Sequence, residues 1–265
     1  MDAIEAFKER QKQGWAHFGP LEASTTPTAA LLVKFAGVRA GQRVLDVGCG
    51  TGVVAITAAC AGADASALDL TPELLERARS NAQIAEVQID FREGDAEKLP
   101  FADAAFDVVL SQFGHMFAPR PGVALAEMLR VLKPGGTVAF STWPPESLVG
   151  RMFWLMASYM PPPPPGASPP PQWGDPNIVR ERLGGAARDI AFERATMYVP
   201  ALSLQHYRAN HERCVGPLIK LIEMLSAEDS AKLATFRREY DALAAEYLDG
   251  NLVKQEFMMT RATKN

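Results

Sequence analysis

The sequence predicts an α/β fold built on a doubly wound sheet, on three observations. Arg43 to Gly52, R-V-L-D-V-G-C-G-T-G, is a short apolar run broken only by Asp46, as expected of a strand buried on both faces of a parallel sheet. Three glycines close that run just before a helical stretch, Val53 to Ala61. Apolar runs of strand length then alternate with helical periods as far as Thr142.

The N-terminal residues Asp2 to Gln13 set Ile4 and Phe7 among charges, the pattern of an amphipathic helix or an ordered arm. In G-W-A-H-F-G-P, Gly14 to Pro20, Trp15 reads either as part of a hydrophobic plug at the domain edge or, with His17 and Phe18, as a roof over a ligand pocket. A helix is expected from Thr28 to Ala36, just before the glycine strand.

Gly48, Gly50 and Gly52 let the chain turn sharply and approach a ligand, which the following helix would hold at its positive end. Their spacing is not the G-x-G-x-x-G of dinucleotide sites, and Asp46 precedes the first of them by two positions. A carboxylate there would repel a pyrophosphate and suits a ligand with an ammonium or sulfonium group. D-x-G-C-G-T-G resembles motif I of the class I S-adenosylmethionine-dependent methyltransferases, in the broad group that includes ubiquinone and menaquinone biosynthesis enzymes. The resemblance spans about Arg43 to Trp143, and it implies a Rossmann-like sheet of seven strands whose last strand is antiparallel. It implies S-adenosyl-L-methionine as cofactor, touched at Asp46, Gly48, Cys49, Gly50 and Gly52.

A second strand, Ala65 to Leu70, carries Asp69 near its end, 21 positions after Gly48, where an acid can accept both ribose hydroxyls; Leu70 adjoins it. The alternative for Asp69 is an acid at the start of the helix Pro72 to Gln83. A third strand, Val87 to Phe91, precedes G-D-A-E-K-L-P-F, in which the resemblance assigns Asp95 to the adenine amino group and Ala96 to the ring; an Asx turn is the other reading. A fourth strand, Phe106 to Ser111, delivers Ser111, Gln112 and Phe113 to the end of the sheet where open α/β folds bind ligands. In the loop that follows, His115 is the catalytic candidate, a general base facing the transferred methyl, or else a structural side chain. A helix from Val123 to Leu132 and L-K-P-G-G lead to a fifth strand, Thr137 to Thr142.

Eight prolines between Pro161 and Pro171 mark residues 144–188 as a linker or surface strap, separating the cofactor-binding core with its helical arm (1–143) from residues 189–265. That last part reads as a short strand at Ala191 to Val199, amphipathic stretches at Ser203 to Leu225 and Ala227 to Leu248, and a terminal strand from Asn251 to Lys264, within the same domain. The helices would then be a cap inserted over the acceptor, on which His206 and His211 face either the pocket or water.

A net charge of −4 gives no electrostatic case for nucleic acid or an anionic membrane, and the three scattered cysteines form neither a disulfide framework nor a metal site. The opening residues lack a secretion-signal pattern, so a cytoplasmic location is expected. The expected partner is a small-molecule methyl acceptor; neither its identity nor the oligomeric state is written in the sequence. Two other classes stay open: a non-catalytic or regulatory module that binds the cofactor, and a nicotinamide oxidoreductase, for which the third glycine is misplaced.

Overall fold

The computed structural model describes residues 3–265, so Asp2 of the expected N-terminal helix lies outside the described residues. The chain begins with α1 (Ala3–Trp15) and α2 (Glu22–Ala36) and then builds β1 (Arg43–Val47), α3 (Val53–Cys60), β2 (Asp64–Asp69), α4 (Pro72–Ile84) and β3 (Asp90–Glu93). It returns through β4 (Phe106–Gln112), α5 (Pro121–Val131) and β5 (Leu132–Thr142). The remainder is α6 (Leu148–Tyr159), α7 (Pro176–Leu183), β6 (Ala187–Pro200), α8 (Leu204–Cys214), α9 (Gly216–Glu228), α10 (Ser230–Ala245), β7 (Leu248–Asp249) and β8 (Leu252–Lys264).

The strands run β3-β2-β1-β4-β5-β8-β6, with the two-residue β7 paired beside β8, so the sheet has eight strands where seven were expected. β3, β2, β1, β4 and β5 are mutually parallel, and β8 pairs antiparallel with both β5 and β6. The strand order reverses between β1 and β4, the switch point where the loops beyond the strand ends part and leave a crevice. Val44, Leu45, Val109, Leu110, Ala139 and Phe140 are fully buried, which is why these strands read as continuous apolar runs.

Some boundaries shift for local reasons. Val87 to Ile89, expected in the third strand, follow α4 through a left-handed Glu86 (φ 56°), and the Val87 N–H returns to the Ala82 carbonyl as a helix stop. The stretch from Ser203 to Leu225 is two helices, because Pro217 has no N–H to continue one.

Residues 144–188 are more than a strap. Ser147 caps α6 through the Gly150 N–H, Met152 and Met156 on that helix are buried, and Trp173 is 1% exposed within the main core.

Two covers close over the sheet's carboxyl edge: α1 with the turn after it, and the helices α8 to α10 inserted between β6 and β8. They meet at a pair of glycines. A methyl group on Gly14 of α1 would stand 2.9 Å from Gly216 Cα of α9, so only two hydrogens allow this approach.

Candidate active site

The loops after β1 and β4 touch backbone to backbone. Gly48 has φ 68°, and a Cβ on Gly114 would lie 2.4 Å from the Gly48 carbonyl oxygen. Beside this contact Phe113 holds φ 59°, a left-handed conformation that costs a bulky residue of order 1–3 kcal/mol and is typical of functional loops. Its ring stacks on Trp143 at 4.1 Å and 8°, and edge-on against Phe257.

A cavity of about 230 Å³ opens at this point. Its wall includes Asp46, Gly48, Cys49, Gly50, Asp69, Leu70, Asp95, Ala96, Gln112, Phe113 and Trp15. Asp46 is 1% exposed; one oxygen accepts the Ala55 N–H of α3 at 3.1 Å, and the other has no partner among the described residues. Burial, helped by the charge of Asp69, pushes the Asp46 carboxyl up to about 7. Asp69 braces two loops, accepting the Gly50 N–H at 2.8 Å and the Thr71 N–H at 2.9 Å, and burial raises its pKa as well. The Thr71 side chain and the Leu70 N–H also bear on this carboxylate. Cys49 is a buried thiol held well above its ordinary pKa by burial and by Asp69 and Asp46, which leaves it no nucleophilic role.

Asp95 accepts the Glu97 N–H at 2.8 Å and Lys8 Nζ at 2.6 Å. Lys8 also meets Glu97 at 2.7 Å. Burial alone would lower the Lys8 pKa, but the two carboxylates outweigh it and the ammonium stays charged. Gln11 donates to the Phe117 carbonyl and Trp15 packs on the Phe117 ring, so α1 closes the cavity from above. Lys8 was not visible as a site residue from the sequence; its only local signal is a lysine inside an amphipathic helix.

Three expected site residues stand elsewhere. Ser111 is fully buried, donates to the Val47 carbonyl and accepts the His115 N–H, so it shapes the loop from beneath instead of forming the cavity wall. Gly52, with φ 84°, starts α3 behind the wall. His115 is a correction to the catalytic expectation: it is 1% exposed, off the cavity wall, and wedged between Phe140 and Trp173. Both its ring nitrogens lack partners among the described residues, and burial drives its pKa to about 3. His206 is also off the wall, its Nδ1 accepting the Leu202 N–H, whereas His211 is on it.

Away from the glycine loop the same cavity is apolar, walled by Phe117, Val149, Met152, Phe153, Met156 and Met197 among others. Its charged residues are Lys8 of α1, Asp46 and Asp69 at the ends of β1 and β2, and Asp95 after β3.

Residues 45–140 match the model of a methyltransferase domain. A Mycobacterium tuberculosis protein described as uncharacterized is 35% identical over 257 residues, 96% of this chain and 93% of its own. A demethylmenaquinone methyltransferase of Renibacterium salmoninarum is 47% identical over 106 residues, 40% of this chain and 43% of that enzyme. The chain belongs to the S-adenosylmethionine-dependent methyltransferases. The fold of this methyltransferase is also that of a Haemonchus contortus phosphoethanolamine N-methyltransferase solved with S-adenosylhomocysteine, at TM-score 0.55 and 20% identity over 90% of this chain and 52% of that one. S-adenosylmethionine is the methyltransferase's cofactor. Among the described residues no helix is long and apolar enough to cross a membrane.

Proposed function

We propose that this methyltransferase moves the methyl group to a small, largely apolar molecule by in-line displacement, with the cofactor held at the charged end of the cavity and the acceptor at the apolar end. One observation carries the reading: a single cavity whose charged side chains come from α1, from the ends of β1 and β2 and from the turn after β3, continuous with a wall of aromatic, Met and aliphatic side chains.

The fit to the cofactor rests on this chain's own groups. The unpartnered, buried oxygen of Asp46 suits an ammonium, which would restore its ionised form. Asp69 would accept ribose hydroxyls, and Asp95 with Ala96 would meet the adenine. Trp15, Leu70, Cys49, Gln112 and Phe113 would shape the remaining wall around it. When bound, the cofactor supplies a methyl carbon on a positively charged sulfur, already an excellent leaving group. The protein's share is therefore alignment and exclusion of water: Phe113 and Trp143 fix a flat wall, and α1 seals the top through Lys8.

Titration with S-adenosylhomocysteine in a calorimeter tests this. Binding by the wild type, weakened about a hundredfold or more in Asp69→Ala through loss of two charge-assisted hydrogen bonds, is the expected outcome. No heat with the wild type, or an unchanged affinity in the variant, sinks the reading.

A further inference from the structure

We propose that His211 Nε2 takes the proton of the methyl acceptor, and that the acceptor is an uncharged apolar molecule bearing a phenol-type hydroxyl. This rests on the reading above, in which the apolar end of the cavity receives the acceptor.

The ring of His211 is on the cavity wall and its orientation is fixed. Nδ1 lies 2.8 Å from the Tyr207 carbonyl oxygen, which can only accept, so Nδ1 carries the hydrogen and Nε2 keeps its lone pair. Tyr207 packs on the imidazole at 4.0 Å and is itself held by Gln255 Nε2, which donates to its hydroxyl at 2.6 Å. Nε2 has no protein partner among the described residues, yet it is not among the sealed-off polar atoms, unlike both nitrogens of His115. Burial lowers the His211 pKa to about 4, so the ring is neutral with its Nε2 lone pair available, and the imidazolium formed on proton uptake is short-lived.

The surroundings select the acceptor's chemistry. Tyr240 and Gln255 are the other polar side chains on this part of the wall, beside Val215, Leu218 and Val199 from the cap and β6. No lysine, arginine or carboxylate joins them among the described residues, so a phosphate, a carboxylate or an ammonium would lie there without a counterion. A hydroxyl needs none, but to become a good nucleophile it has to give up its proton. Its oxygen lone pair forms the new bond to the methyl carbon as the carbon–sulfur bond breaks. That bond's electrons stay on sulfur, and the hydroxyl proton passes to His211 Nε2, to be returned to water as product leaves.

The test uses the full chain saturated with S-adenosylhomocysteine and three probes: 2-naphthol, naphthalene and 2-methoxynaphthalene. Calorimetry is expected to show 2-naphthol binding about five- to tenfold tighter than the other two, a preference lost in His211→Phe. Nitrogen-15 NMR of histidine-labelled wild type is expected to show the His211 Nε2 resonance moving with 2-naphthol and not with naphthalene, a readout independent of how the variant folds. Absence of 2-naphthol binding, a preference that survives in His211→Phe, or an Nε2 signal indifferent to 2-naphthol overturns the proposal. Failure of S-adenosylhomocysteine itself to bind would instead break the assignment of the charged end.

Discussion

The two ends of the cavity are made by different rules. Apart from Lys8 and the rest of α1 that closes it, the charged end is assembled within residues 46–119, at the tips of adjacent parallel strands, where short-range constraints such as Asp69 spanning Gly50 and Thr71 set the groups. The apolar end draws on Trp143, α6, β6, the three cap helices and Gln255 of β8, parts that come together only when the chain is folded. One end is a local device with polar precision and the other a packed shell. A change at either should therefore leave its mark mainly on the ligand of that end.

The strongest challenge is Gly114→Val. Its side chain would drive into the Gly48 carbonyl, parting the two loops at a cost of about 1–3 kcal/mol or more, so S-adenosylhomocysteine affinity should fall ten- to a hundredfold. Calorimetry measures it, and unaltered affinity would mean the two loops do not need this contact.

Acidity gives the next effect. A cation needs Asp46 ionised, and the free carboxyl sits at about 7, so affinity for S-adenosylhomocysteine should fall about fivefold from pH 7 to pH 6 and level off above pH 8. Asp46→Asn should bind weakly with no such slope.

Lys8→Met removes the cation between Asp95 and Glu97 while keeping the side chain's bulk. With α1 held less firmly, release of S-adenosylhomocysteine in stopped flow should quicken about fivefold.

Met152→Ala, in the shell, should change S-adenosylhomocysteine affinity less than about twofold while altering the uptake of an apolar dye such as ANS. A large loss of S-adenosylhomocysteine binding here would erase the distinction between the ends.

This same difference explains what was legible in the sequence. The parallel strands, the glycine turn and the carboxylates at positions 46, 69 and 95 could be read because each is set by its neighbours in the chain. The antiparallel closing strand followed from the resemblance and is present as β8. His115 misled because adjacency to a binding loop does not say which way a side chain points; its ring turns under the loop toward Phe140. Lys8, Gly114, and the gathering of Met152, Met197, His211 and Tyr240 around one cavity depend on contacts between distant segments, to which no short pattern corresponds. The prolines between Pro161 and Pro171 made residues 144–188 read as a linker or strap, and the burial of Met152, Met156 and Trp173 there depends on partners distant in the chain.

The Gly14–Gly216 seam ties the arm over one end of the cavity to the cap over the other. At this seam the arm and the cap lie against each other's bare backbone, so a side chain at either glycine would press the two covers apart together.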